Sequence, residues 1–278
     1  MHQKSYDNTP TLYLVPTPIG NMEDITYRAL HILKTANVIF AEDTRVTRQL
    51  LNHFNIQNKL ISSHLYNENG NIDKEIAYLK QGKTIALVSD RGTPVISDPG
   101  CILVKEALKY NYNVVCLPGA TALIPAVVMS GLGDQPFTFY GFFNSKESKR
   151  KKELMNLKEH QFTLIFYEAP HRITKTLNNI LEVFGNRKAA ICREISKKYE
   201  EIIRGNITEL IKESENLKGE IVLVVAGNDD KPDFHNLSLI EHVHLYLKEG
   251  KDPKEAIKLV AKDRNMPKSE VYREYHRR

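Results

Sequence analysis

The run Leu12-Tyr13-Leu14-Val15-Pro16-Thr17-Pro18-Ile19-Gly20-Asn21 settles the architecture of the chain. Four apolar residues stop at a Pro/Gly turn and a helix-like segment follows. A second apolar run, Val38-Ile39-Phe40-Ala41, then ends in Glu42-Asp43-Thr44-Arg45. Strand, tight turn, helix, strand is the order of a parallel β-α-β unit, because parallel strands need a long crossover. In open α/β sheets ligands bind at the carboxyl ends of the strands. Both turns therefore point at one site.

Working outward, residues 11–118 read as repeated β-α units, an N-terminal α/β domain. Its strand candidates are 12–15, 37–41, 58–62, 84–88 and 112–116. Helical periodicity separates them, as at Ile102, Leu103, Val104, Ala107 and Leu108. Near-continuous apolar strands joined by helices imply a parallel sheet covered on both faces. Past Leu117-Pro118-Gly119 a second α/β domain, 119–230, is expected, with strands at 137–142, 162–167, 188–192, 199–204 and 220–226. Their close succession after residue 188 predicts hairpins and a mixed sheet.

Asp229-Asp230-Lys231-Pro232-Asp233 reads as a linker, and 233–278 as a helical extension. One helix should carry Leu239, Ile240, Val243 and Leu247 on a single face. The next opens with Asp252-Pro253-Lys254-Glu255, a capping-box-like start with Pro at the first helical position. Ala256, Ile257, Val260 and Ala261 form its apolar face, and a turn at 264–267 leads to a last helix through Val271, Tyr272 and Tyr275. Two short helices across a tight turn serve nucleic-acid contact or packing alone, and the pattern leaves both open.

With 278 residues, 41% hydrophobic and 26% charged, the composition is that of an ordinary globular protein. The longest apolar runs, such as Ile221-Val222-Leu223-Val224-Val225-Ala226, are far too short to cross a bilayer. No basic segment leads into an apolar one at the start, so a cytoplasmic protein without membrane attachment is expected. Cys101, Cys116 and Cys192 lie far apart, which argues against a disulfide framework and a zinc site. A net charge of +5 fits a polyanionic partner or merely a basic surface. Lys146, Lys149, Arg150, Lys151 and Lys152 in one stretch, and Arg273, Arg277 and Arg278 at the end, make nucleic acid plausible.

The dinucleotide fingerprint is absent: Gly131-Leu132-Gly133 begins like it, but Pro136 stands where a third Gly or Ala is needed. A phosphate-binding Walker loop, paired metal-spaced histidines and a Gly-x-Ser-x-Gly elbow are missing as well. What remains is a set of Pro/Gly turns, each after a strand. They are Pro16 to Asn21, Ser89-Asp90-Arg91-Gly92-Thr93-Pro94 running on to Ser97-Asp98-Pro99-Gly100, and Leu117-Pro118-Gly119-Ala120-Thr121-Ala122. Gly and Pro fix backbone shape and let main-chain groups approach a ligand. One such turn is more often a plain tight loop; three on one sheet edge favour a site.

These turns, with Ala41-Glu42-Asp43-Thr44-Arg45, Tyr167-Glu168-Ala169-Pro170-His171-Arg172 and Arg193-Glu194-Ile195-Ser196-Lys197, resemble the tetrapyrrole-methylase superfamily. They resemble above all its branch acting on small-subunit ribosomal RNA. The motifs run in order from about residue 11 to 227. The resemblance implies a two-domain class III methyltransferase fold with a small helical extension, S-adenosylmethionine between the domains, and a homodimer. It implies methylation of a cytidine ribose 2′-oxygen in the decoding region of 16S rRNA, free or in the 30S subunit. Carried over by position, Ile19, Val88, Ser89, Asp90, Thr93, Thr121, Ala122, Glu168 and Gly227 would meet the cofactor, and no metal is implied. The first turn departs from the Gly-x-Gly-Pro-Gly-Asp of tetrapyrrole methylases.

A ribose hydroxyl is a weak acid, so a base or a stabilising charge near it is expected. Glu42, Asp43 and Arg45, after the second strand, are the first candidates; His64, Asn67 and Glu68, after the third, are the second set. An Asp-Thr-Arg at a strand end equally caps the next helix. Two rival functions stay in view: a tetrapyrrole or other small-molecule methyltransferase, and a non-catalytic RNA-binding assembly module.

Overall fold

The computed structural model describes residues 3–5, 7, 9–63, 68–133, 136–229 and 237–277. The first sheet is built from β1 (Thr11–Leu14), β2 (Val38–Ala41), β3 (Leu60–Ser62), β4 (Ile85–Val88) and β5 (Asn113–Cys116). Their order is β3-β2-β4-β1-β5 and every pairing is parallel. β2 and β4 are buried at all their positions, as strands covered on both faces must be. The covering helices are α1 (Tyr27–Thr35), α2 (Thr44–His53), α3 (Glu68–Lys80) and α4 (Cys101–Lys109). Ala29, Leu33, Leu50 and Leu51 of α1 and α2 pack on Ile39, Ala41, Ala86 and Val88. Ile76, Leu79, Leu103 and Ala107 of α3 and α4 pack on Leu12, Leu14, Phe40 and Leu87. From β1 the chain passes beyond β4 to β2, and from β4 it passes beyond β1 to β5. The crossovers leaving the neighbouring strands β1 and β4 thus run in opposite directions, which makes this pair a topological switch point of the sheet.

The second sheet holds β6 (Phe137–Phe142), β7 (Thr163–Glu168), β8 (Lys188–Arg193), β9 (Glu201–Asn206) and β10 (Ile221–Val225), in the order β6-β7-β10-β8-β9. β6 and β7 are parallel; β10 is antiparallel to β7 and β8, and β8 forms a hairpin with β9. The mixed sheet and its hairpin agree with the sequence expectation. β9 begins two residues later than its apolar pattern suggests, because residues 194–200 form a tight turn with Glu194 and Ser196 at positive φ. α5 (Leu123–Ser130) packs on one face and α6 (Glu147–Leu157), α7 (Ile173–Phe184) and α8 (Ile207–Glu213) on the other.

Both sheets belong to one compact unit, Met1–Asn228, and Asp229–Arg278 is a second. Most of the expected linker lies outside the described residues. The second unit is α9 (Leu239–Lys248), α10 (Pro253–Asp263) and α11 (Lys268–His276) around Val243, Ala256, Ile257, Val260, Ala261 and Val271. Two expectations need correcting here. Ile240, expected on the apolar face of α9, is exposed rather than in the core. The reciprocal capping box belongs to Ser238 and Glu241 at α9, whereas Asp252 caps α10 by accepting the Lys254 and Glu255 N–H groups.

Candidate active site

The turns after β1, β4 and β5 are fastened to one another at the carboxyl edge of the first sheet. The Thr17 N–H donates to the Gly92 carbonyl and the Gly92 N–H to the Thr17 carbonyl, both at 2.9 Å. The Thr17 hydroxyl donates to the Ser89 carbonyl at 3.2 Å, and the Thr93 hydroxyl to the Ala120 carbonyl at 3.3 Å. Gly92 holds φ +75°, a conformation glycine adopts without steric cost. At Gly119 a Cβ would fall 2.6 Å from the Pro16 Cβ, so the β1 and β5 turns touch only because that position is glycine.

These turns form one wall of a cavity of about 350 Å³; the second sheet supplies the other wall. Ile19, Thr93, Asp98, Thr121 and Ala122 line it from the first side, and Phe142, Tyr167, Cys192, Ile195 and Val222 from the second. The Tyr167 hydroxyl shares hydrogen bonds with the Thr121 side chain and the backbone at Leu123, and burial pushes its phenol up. Two lining isoleucines are each flanked by left-handed residues. Val95 (φ +78°) and Ser97 (φ +65°) flank Ile96, and Glu194 (φ +51°) and Ser196 (φ +70°) flank Ile195. A β-branched residue such as Val95 adopts this region at a cost of roughly 1–2 kcal/mol, the kind of strain that gathers at functional sites.

Asp98 and Glu220 are acids of the cavity lining that sequence reasoning missed as site residues, and Asp98 is the one not held by an ion pair among the described residues. Burial first, then the charge of Glu42 and that of Asp90, push its carboxyl up to about 6, against a hydrogen bond with Ser89 that lowers it. Its signal in the sequence was faint: an acid before Pro99-Gly100 reads as helix punctuation. Phe142, Cys192 and Ile195 were missed because apolar residues on strands and turns look like core.

Of the expected cofactor residues, Ile19, Thr93, Thr121, Ala122 and Glu168 line the cavity. Val88 and Ser89 are buried behind it. Asp90 accepts the Asp43 N–H at 3.0 Å, tying the β4 turn to the start of α2, and burial raises its carboxyl. Gly227 departs from the expectation. The cavity lies at the Ile221 end of β10, and Gly227 follows the other end, on the order of 20 Å away at about 3.3 Å per residue. The main chain at Gln161 leaves no room there for a Cβ, which accounts for the glycine by packing. Glu168 has a fully buried carboxylate. It accepts from Arg172 Nε at 2.8 Å and Nη2 at 2.6 Å, the Ala169 N–H at 2.7 Å and the Thr176 hydroxyl at 2.6 Å.

Of the expected catalytic residues, Glu42 sits beside the cavity, its carboxylate 3.4 Å from the Asp90 N–H. Asp43 and Arg45 take another role: neither lines the cavity. Asp43 caps α2 through the Arg45 N–H at 2.8 Å, and the Arg45 guanidinium grips the same carboxylate, holding it down to about 2. His64 and Asn67 lie outside the described residues, and the side chain of Glu68 is likewise not described. On the rim, Arg91 pairs with Glu220, and Lys197 with Glu220 at 2.9 Å and Glu194 at 2.7 Å. Among the described residues no cluster of metal-ligating side chains occurs, and no helix is long and apolar enough to cross a membrane.

Comparison with known proteins gives this geometry a context. The model of the family Tetrapyrrole (Corrin/Porphyrin) Methylases matches residues 11–211. The chain is 49% identical to ribosomal RNA small subunit methyltransferase I of Bacillus subtilis, over 95% of this chain and 94% of that one. It is 46% identical to the protein of that name from Halalkalibacterium halodurans, over 99% and 98%. Among solved structures it resembles uroporphyrin-III C-methyltransferase from Thermus thermophilus complexed with S-adenosylhomocysteine. That likeness has a TM-score of 0.55 at 16% identity, covering 78% of this chain and 97% of that one.

Proposed function

The chain belongs to the tetrapyrrole methylase family, and we propose that it transfers the methyl group of S-adenosylmethionine to a cytidine ribose 2′-oxygen in small-subunit ribosomal RNA. The observation that carries this reading is near-full-length identity of 49% and 46% to named small-subunit rRNA methyltransferases, joined to a cavity at the switch point of the sheet. At that level the protein is an S-adenosylmethionine-dependent methyltransferase of small-subunit rRNA. The ribose oxygen, the cytidine and the decoding region rest on the motif resemblance. So does the homodimer, while the cytoplasmic setting and the division at 11–118, 119–230 and 233–278 rest on the sequence pattern.

The donor set fits the cofactor. Ile19, Ile195 and Val222 offer apolar surface to an adenosine, and pockets of this kind carry a few polar groups for orientation. Glu42 and Asp90, beside Asp98, gather negative charge where a ligand bearing sulfonium and ammonium groups is to be held. S-adenosylmethionine supplies, when bound, a methyl group open to attack by an oxygen. Everything else falls to the chain. Thr121 and Tyr167 tie the two walls together, and holding the nucleophile in line with the methyl group between them is worth on the order of 7–11 kcal/mol. Asp98 accepts the hydroxyl proton: its carboxyl, near 6, is ionised at neutral pH yet more basic than a free carboxylate. Arg45, exposed on α2, meets RNA phosphate.

Two measurements test this. Calorimetric titration should show S-adenosylmethionine binding by the purified protein. Ribose-methylation mapping of 16S rRNA from cells with and without it should show a cytidine in the decoding region losing its mark. No binding, or an unchanged map, would sink the reading.

A further inference from the structure

β6 breaks the alternation of a regular strand. Successive side chains should point to opposite faces. Yet Phe139 and Phe142, three residues apart, both pack on Tyr167, with ring centroids 4.9 and 5.5 Å away. Tyr140 and Phe143 share the other face with Phe166. The cause is a register shift between Phe139 and Gly141. Gly141 takes φ +88°, and a Cβ on it would come to 3.3 Å from the Ser97 Oγ, in the strained loop that carries Asp98. Without the extra residue, position 142 would face the α6 and α7 side. With it, Phe142 is turned onto the cavity. Bulges next to active sites commonly re-aim a side chain in this way.

Phe142 is also the most exposed apolar side chain of the cavity lining, at 53%, with Ile96 next at 45%. Val222 and Cys192 on the same side are buried. Phe142 and Ile96 are thus the apolar lining side chains open to something that arrives from outside. Resting on the functional reading above, we propose that Phe142 is the stacking platform for the base of the target nucleotide. A ribose that reaches into the cavity carries its base with it. A ribose drawn into a cavity away from its neighbours unstacks its base, and a new stacking partner offsets that cost. An aromatic ring backed by a second ring, Tyr167, meets that need for any base, because every base has a π-face.

The test compares Phe142→Ala, Phe142→Leu and Phe142→Trp with the wild type. It measures cofactor affinity by calorimetry, KM for small-subunit RNA, and fluorescence of an RNA with pyrrolocytidine at the position the wild type methylates. Base-aromatic stacking predicts that Ala raises the RNA KM roughly 5- to 150-fold. Leu should fall close to Ala and Trp close to wild type, with cofactor affinity unchanged in all three. Pyrrolocytidine fluorescence should rise on binding to the Ala variant, where the unstacked base finds no ring, and stay low with wild type and with Trp. Unchanged RNA KM in Ala would overturn the proposal, as would full rescue by Leu. Loss of cofactor affinity with intact RNA binding would overturn it too, assigning the ring to the adenine of the cofactor. A wild type that binds cofactor yet methylates no small-subunit RNA would overturn the functional reading itself, and that control is read before any variant.

Discussion

Replacing Asp98 with Asn removes one negative charge from the cavity wall while keeping its shape. The carboxyl is held near 6, from an ordinary 3.8, by burial first and by the charges of Glu42 and Asp90, against the hydrogen bond with Ser89. Such a group is ionised in roughly nine molecules of ten at pH 7 and one in ten at about pH 5. If Asp98 takes the hydroxyl proton, wild-type turnover should fall about tenfold across that interval. A positioned general base contributes typically about 10²- to 10⁴-fold. Asp98→Asn should lose kcat in that range, lose the acid limb near 6 with it, and keep its cofactor affinity. Stability moves the other way. The unfolded chain gives up this proton near 3.8 and the folded chain near 6, so ionisation weakens the fold progressively over that window and fully above it. Asp98→Asn should therefore melt higher than wild type at about pH 7.5, with the gain shrinking toward pH 4. Single-turnover methyl transfer across pH, with melts at the two ends, checks both halves. An unchanged kcat, or an acid limb that survives in the variant, would refute the assignment. Cofactor binding lost with turnover intact at saturation would move Asp98 to the cofactor's cationic end.

Three further outcomes follow from the same geometry. Arg172→Ala leaves the buried Glu168 carboxylate without its guanidinium, and urea denaturation should show a loss of about 3–5 kcal/mol; a much smaller loss would mean that Thr176 and the Ala169 N–H suffice. Arg45→Ala should weaken RNA binding and make the slope of log affinity against log salt shallower by roughly 0.7–0.9, leaving the melting point and cofactor affinity alone; reduced cofactor affinity would contradict its place on the RNA side. Deleting 233–278, with Lys251, Lys254, Lys258, Lys268, Arg273 and Arg277, should weaken RNA binding and flatten its salt dependence while the unit Met1–Asn228 still binds cofactor. RNA affinity and slope unaltered by the deletion would make the extension a packing element and direct attention to the lysines at 146–152.

The parallel sheet was legible because its central strands are buried on both faces and so stand in the sequence as unbroken apolar runs, Val38-Ile39-Phe40-Ala41 and Ile85-Ala86-Leu87-Val88. β6 was legible as a strand but not as a bent one. Phe137-Thr138-Phe139-Tyr140-Gly141-Phe142 is aromatic on both faces, so no alternation reveals the slip, and a glycine inside a strand was its single mark. In the extension, Ile240 was assigned to the apolar face yet lies at its margin, where a pattern cannot say how far the core reaches.

The site divides along a different line. The turns after β1, β4 and β5 could be placed at the cavity because topology fixes where they go, and the motif resemblance picked out Ile19, Thr93, Thr121 and Ala122 within them. What a charged side chain does there depends on the donors it meets, and those come from residues distant in sequence. Asp43 meets a helix N-terminus and a guanidinium, which hold it down to about 2 and commit it to capping. Glu168 meets an arginine, a hydroxyl and a backbone N–H and is committed to the fold. Asp98 meets one serine hydroxyl against burial and the like charges of Glu42 and Asp90, and is pushed up to about 6. A carboxylate rich in donors is already spent on structure, whereas one short of donors stays basic enough to take a proton. That difference, invisible in a string containing Glu42, Asp43, Asp90 and Asp98 alike, makes Asp98 the acid to mutate first.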